Sequence, residues 1–221
     1  RRYLEALGHT VAVQAVAPGE GADIDRADFL FMGAGTERAQ RFAAGDFAQY
    51  GPAVKAAAEE GCAMLFAGTA MELLGASVTA KDGETFDGIG LAGFTTVQGS
   101  RRIVGDVYGT TDLFPEAVVG FMNKCSHTSG VETPIFEAMT MGMGNEKEGG
   151  AEGFRHGNVV GTHITGPVLV KNPAFLAWIA ERILENRGET LPVPADKPDW
   201  LIHAEKAYQV TLEELSALAN K

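Results

Sequence analysis

The stretch Ala63-Met64-Leu65-Phe66-Ala67-Gly68-Thr69-Ala70-Met71-Glu72-Leu73-Leu74-Gly75 decides how this chain is read. The unbroken apolar run Ala63 to Ala67 predicts a strand. Thr69-Ala70-Met71-Glu72 spells a capping box, in which a threonine hydroxyl takes an orphan N–H and Glu72 reaches back to the N-cap amide, so a helix is expected directly after the strand. A strand that turns sharply into a helix is the setting of a nucleophile elbow, which projects one side chain outward beside free backbone N–H groups. At that turn stands Gly68, which has no side chain to project.

Outward from the elbow, apolar runs bounded by Gly or Pro alternate with helical periodicity, the pattern of βα units around a parallel sheet. Strands are expected over His9 to Ala17 and Asp28 to Met32, and a helix over Ala53 to Glu60 between Pro52 and Gly61. From Phe94 to Phe121 the residues are β-branched and punctuated by glycine, which predicts a more antiparallel second half. Gly142 to Gly157 lacks apolar periodicity and reads as a mobile surface loop. Phe175, Leu176, Ile179 and Ile183 recur at helical spacing and predict an amphipathic helix ending at Gly188. Pro192, Pro194 and Pro198 follow as a stiff linker, and Thr211-Leu212-Glu213-Glu214 reads as a second capping box opening a short final helix with Leu212, Leu215 and Leu218 on one stripe. The division expected is one domain over residues 1–188, with the linker and helical tail of 189–221 packed on it.

The 29 acidic and 18 basic residues give a formal charge of -11, which repels phosphate backbones and anionic membrane surfaces, so nucleic acid is excluded as a partner. No apolar run approaches the ~20 residues that span a bilayer. A cytoplasmic protein with no membrane insertion is the expectation, its two thiols, Cys62 and Cys125, free and without metal-ligand spacing. The opening Arg1-Arg2-Tyr3-Leu4-Glu5-Ala6-Leu7-Gly8 reads as the end of a helix, as though something preceded it.

A second stretch, G-T-H-I-T-G-P-V-L-V-K-N-P from Gly161 to Pro173, joins the first in a resemblance. Together they resemble class I glutamine amidotransferases of the cobyric acid synthase type, whose corresponding segments read like C-G-G-Y-Q-L-L-G and G-T-Y-L-H-G-P-L-L-P-K-N-P. The resemblance implies a flavodoxin-like α/β fold, a mostly parallel central sheet flanked by helices, with a strand preceding the first helix. It sets Gly68 where the family has its nucleophilic cysteine and Thr165 where it has its histidine. Gly33-Ala34-Gly35-Thr36-Glu37-Arg38-Ala39-Gln40 resembles the G-G-G-x-D-x-x-Q loop that approaches a small substrate, Arg102 matches an arginine that holds glutamine by its carboxylate, and Gly120-Phe121-Met122-Asn123 resembles G-F-E-N. Gly33, Gly35, Gln40, Thr69, Arg102 and Asn123 are thereby expected around a small carboxylate or glutamine-like ligand.

A threonine hydroxyl does not titrate near neutrality, so Thr165 cannot serve as a general base. Loss of both thiol and base removes the covalent route. The expectation is a ligand-binding or partner-holding subunit without glutaminase activity and without cofactor, similar to the free-standing subunits that feed ammonia to a Mur-ligase-like partner amidating lipid II. No G-x-x-x-x-G-K-[ST] motif is present, so ATP-dependent amidation would need another polypeptide or a missing portion. The alternative is a relocated dyad: Lys124-Cys125-Ser126-His127 sets a thiol two residues from an imidazole, beside a lysine that could depress its pKa. Residues two apart on a strand share a face, so His163 either leans toward the vacated site or packs in the core. Thr69, adjacent to the turn, has a hydroxyl that its capping role already explains.

Overall fold

The computed structural model describes residues 1–192 and 196–220. After α1 (Arg2–Ala6) the chain runs without regular pairing to β1 (Phe29–Met32), then forms α2 (Glu37–Phe47) and α3 (Gly51–Glu59). Next, β2 (Ala63–Ala67) passes through Gly68 into α4 (Thr69–Glu72). Short strands β3 (Ser77–Thr79) and β4 (Thr85–Asp87) precede the long strands β5 (Thr95–Gly109) and β6 (Val118–Ser129). β7 (Met139–Met141), β8 (Phe154–His156), β9 (Val159–Thr162) and β10 (Ile164–Thr165) follow, and α5 (Val168–Lys171), α6 (Pro173–Asn186) and α7 (Asp199–Ala219) close the chain.

The fold is α/β, with a parallel first part and an antiparallel second part, as expected. One sheet has the order β1-β2-β9-β8, with β2 parallel to both β1 and β9. Every residue of β2 is buried, since a strand with parallel neighbours and covered faces has no side for polar residues. Ala63 and Leu65 face the cluster containing Phe175, Ile179 and Ile183 of α6. Met64 and Phe66 face the opposite cluster, with Val54 and Ala57 of α3. The second sheet runs β10-β6-β5-β3-β4, with β7 also on β5, and is antiparallel except for β3 beside β5.

Several expectations are corrected. His9 to Ala17 forms no strand, and Val13 is 67% exposed. Alternating residues become a strand only where a neighbour completes the hydrogen-bond ladder, and no described strand lies beside them. Thr211 starts no helix: it lies within the 21-residue α7, where its hydroxyl donates to the Ala207 carbonyl one turn earlier. Leu215 on that helix is buried against Val119, while Leu218 is half exposed. Pro194 lies outside the described residues. The Gly142 to Gly157 segment carries β8 and two isolated bridges, and it sends Asn145 and Glu152 into the interior, so it is not a bare surface loop. Polar side chains there serve as internal hydrogen-bond partners, which an apolar pattern does not reveal. Asn145, for one, bonds both the N–H and the carbonyl of Gly153.

Candidate active site

The elbow is built as its sequence implies, with Gly68 at φ +62 and ψ -134, a conformation that strains any residue bearing a Cβ. Its amide donates to the Thr162 carbonyl at 2.7 Å, tying the turn to the end of β9. Thr165 is brought beside it: a Cβ built on Gly68 would stand 3.0 Å from Thr165 Cγ2. The same Cβ would stand 2.5 Å from the Cβ of Ala34, the middle residue of the glycine loop after β1. The residues that the resemblance sets at the nucleophile and base positions are therefore neighbours, and the Ala34 methyl group occupies the space that a side chain on Gly68 would need.

The capping box does not form. Gly68 is the N-cap residue of α4, and no side chain caps that end. The Thr69 hydroxyl instead accepts from Gly35 N–H at 3.1 Å and lies 3.2 Å from the Gly35 carbonyl, pinning the glycine loop to the elbow. A hydroxyl engaged in both directions is not a poised nucleophile. Glu72 turns inward, its carboxylate accepting from Ser126 Oγ at 2.5 Å and Gln40 Nε2 at 2.7 Å. Gln40 also donates to the Thr69 carbonyl and accepts from Gln98, so this expected ligand contact is a buried strut.

His163 belongs to the same interior. Its Nδ1 is 3.1 Å from Glu152 Oε1, and its Nε2 is 3.6 Å from Glu72 Oε1, beyond hydrogen-bond reach. The ring is buried, packed between the Glu152 and Glu72 carboxylates. Glu152 further accepts from the His163 amide and the Thr162 hydroxyl. Burial pushes both carboxyls upward, but bonding and charge from His163 outweigh it and hold Glu72 and Glu152 below the ordinary carboxylate range. Lys124 is buried on the same side, its Nζ donating to the Gly144 carbonyl at 2.7 Å; desolvation lowers its pKa against the pull of Glu152 and Glu72. Sequence reasoning missed Glu72, Glu152, Ser126 and Gln98 as a unit. The one available signal was the alternation Lys124, Ser126, Thr128, which sets three polar residues on the inner face of β6.

The relocated dyad is not assembled. Cys125 and His127 share the outer face of β6, but Cys125 Sγ lies 3.4 Å from Glu37 Oε1, and His127 Nδ1 lies 3.0 Å from the Glu146 carbonyl. Lys124 projects to the opposite, buried face and cannot activate the thiol. Partial burial and the Glu37 carboxylate push the Cys125 thiol up to about 11, the reverse of activation. Cys62, just before β2, is buried, and its thiol donates to the Ala27 carbonyl.

Arg102 and Asn123 do come together, joined by Glu37 at the first position of α2. Arg102 Nη2 donates to Glu37 Oε1 at 2.6 Å and Nη1 to Asn123 Oδ1 at 2.9 Å. Burial raises the Glu37 carboxyl, but its own backbone N–H, Arg102 and Cys125 bring it below the ordinary range. Among the described residues no group of three or more His, Cys, Asp or Glu could hold a metal ion, and no helix is long and apolar enough to cross a membrane.

The chain is similar to known proteins over most of its length. The chain is 30% identical over 178 residues to the lipid II isoglutaminyl synthase (glutamine-hydrolyzing) subunit GatD of Staphylococcus aureus (strain N315), covering 80% of this chain and 72% of that protein. It is 29% identical over 201 residues to the subunit of the same name from Streptococcus pneumoniae (strain ATCC BAA-255 / R6), covering 86% and 75%. A crystal structure of a glutamine amidotransferase from Thermotoga maritima superposes with a TM-score of 0.44 at 15% identity, over 87% of this chain and 77% of that one. The model of the CobB/CobQ-like glutamine amidotransferase domain matches residues 3–173, and the chain belongs to that family.

Proposed function

We propose that this chain is an amidotransferase-like subunit that has lost covalent glutamine hydrolysis and serves in the cytoplasm by holding an ATP-dependent, Mur-ligase-like amidating partner. The observation that carries this reading is the filled elbow. The position of the nucleophile is Gly68, the position of the base is Thr165, and Ala34 Cβ occupies the space a side chain on Gly68 would need. Without a thiolate at the turn no acyl-enzyme can form there, and the Thr165 hydroxyl cannot take a proton at neutral pH. The role of the relatives as subunits of lipid II isoglutaminyl synthase supports a subunit role in the same amidation. Binding of a free small carboxylate is the lesser part of the proposal, because Arg102 is already engaged by Glu37.

The test is to incubate the protein with 6-diazo-5-oxo-norleucine, measure the intact mass, and assay ammonia release from glutamine, with an active relative in parallel. The expected result is no adduct and no ammonia while the relative is labelled. An adduct mapped to Cys125 would overturn the proposal in favour of the relocated site. The partner-holding role is checked by sedimentation of the chain mixed with a Mur-ligase-like subunit, where the expected result is a complex; two independent species would leave the scaffold role without support.

A further inference from the structure

We infer that Glu37 is an internal ligand of Arg102, a latch that competes with small carboxylates for that guanidinium and so determines what it accepts. The contacts close a ring around the turn. Ala34 stands against Gly68 on one wall, and three residues later Glu37 opens α2. Thr165 stands against Gly68 on the other wall, paired in register with Phe121 of β6, and Asn123 lies two residues further along the same face of that strand. Arg102 bridges the walls, taking Glu37 with one terminal nitrogen and Asn123 with the other. Arg102 lines a cleft of about 340 Å³ and Glu37 a second of about 420 Å³.

The chemistry of exclusion follows from the guanidinium fork. A ligand carboxylate is held most firmly when two parallel N–H groups of the fork point at it. Here both terminal nitrogens already hold oxygen acceptors, and the acceptor on Nη2 is itself a carboxylate. A free carboxylate that takes the place of Glu37 must compete with a group tethered three residues from Ala34, which acts at a high effective concentration. The pair is nonetheless partly exposed, Arg102 at 45% and Glu37 at 29%, so water screens it and the latch is one that can open. Cys125 follows from the same arrangement: its thiol sits 3.4 Å from the latch carboxylate, and burial together with that carboxylate pushes its pKa up.

The experiment is calorimetric titration of L-glutamate and L-glutamine into the wild type, Glu37→Gln and the double variant Glu37→Gln with Arg102→Ala. Gln has the size of Glu but leaves Arg102 without a charged partner. A latch closed in a given fraction of molecules lowers the apparent affinity in proportion to the open fraction, so Glu37→Gln is expected to bind on the order of tenfold tighter, and the double variant to lose that gain. Equal affinity of wild type and Glu37→Gln would overturn the latch, as would a gain that survives loss of Arg102. Absence of binding by all three proteins would also overturn it, since there would be no carboxylate site to bar. These readouts are independent of hydrolysis: a wild type that releases ammonia would overturn the loss of activity proposed above and leave the latch standing or falling on its own titration.

Discussion

The Cβ of Ala34 lies 2.5 Å from the point at which a side chain on Gly68 would begin. Carbon atoms pack no closer than roughly 3.5 Å, so the elbow cannot regain a side chain unless the opposing loop retreats.

Gly68→Cys alone is therefore expected to destabilise the fold by about 2–4 kcal/mol, combining a strained positive φ with overpacking, and to hydrolyse no glutamine. Adding Ala34→Gly should recover part of the loss, and adding Thr165→His supplies the missing base. Only the triple variant is expected to show any glutaminase activity, read as ammonia release beside a denaturation curve for each variant. Activity in Gly68→Cys with Thr165→His but Ala34 intact would show that the loop yields readily.

Glu152 accepts from His163 twice and from Thr162 once in a fully buried setting. Removing it leaves those donors without an acceptor. Glu152→Ala should lower stability by about 3–5 kcal/mol, the range for breaking a buried charged pair. Glu152→Gln retains an acceptor oxygen and should cost less, about 1–3 kcal/mol. Urea midpoints of the two variants decide the order.

The same network sets the acid limb of stability. Glu72 and Glu152 have pKa values depressed below the ordinary carboxylate range of about 4.3, so the unfolded chain takes up protons at a higher pH than the folded one does. Their stabilisation is complete above that unfolded value and is lost as pH falls through the folded values. Urea midpoints are expected to hold from pH 7 to about 5 and then drop steeply. The drop should be shallower in Glu152→Gln, which has one titrating carboxyl fewer.

Cys125, with its thiol pushed up to about 11, should react with iodoacetamide roughly a hundredfold more slowly at pH 7.5 than a free thiol of pKa about 8.5. Glu37→Gln removes the charge that raises it and should speed alkylation several-fold. Peptide mapping after timed quenching reads both rates, and a wild-type rate equal to that of free cysteine would contradict the geometry.

α7 is bound to the second sheet through Tyr208, whose hydroxyl donates to the Ala117 carbonyl at 2.8 Å, and through Leu215 against Val119. Tyr208→Phe should cost about 1 kcal/mol and Leu215→Ala about 2–4 kcal/mol. Thermal denaturation of each, read as one transition, checks that this helix unfolds with the sheet it covers.

The sequence by itself determined the backbone at the elbow. Apolar residues from Ala63 to Ala67 leave that strand no polar face, and Gly68 admits the positive φ of the turn, both consequences of local chemistry. The family resemblance was legible in the sequence too, because comparing ordered segments needs only the order of residues along the chain, and the CobB/CobQ-like amidotransferase family model matches residues 3–173. The partners of the polar residues were not legible there. Thr69 and Glu72 spelled a capping box, yet Thr69 holds Gly35 and Glu72 holds Gln40 and Ser126, groups 34, 32 and 54 positions away in the chain. An isolated helix end would favour the local bonds. A buried elbow instead pays for desolvating a carboxylate by surrounding it with donors from three different elements, and only the tertiary structure decides which donors arrive. The same holds for Arg102, whose fork suits any carboxylate; packing α2 against the β5–β6 pair made that carboxylate Glu37.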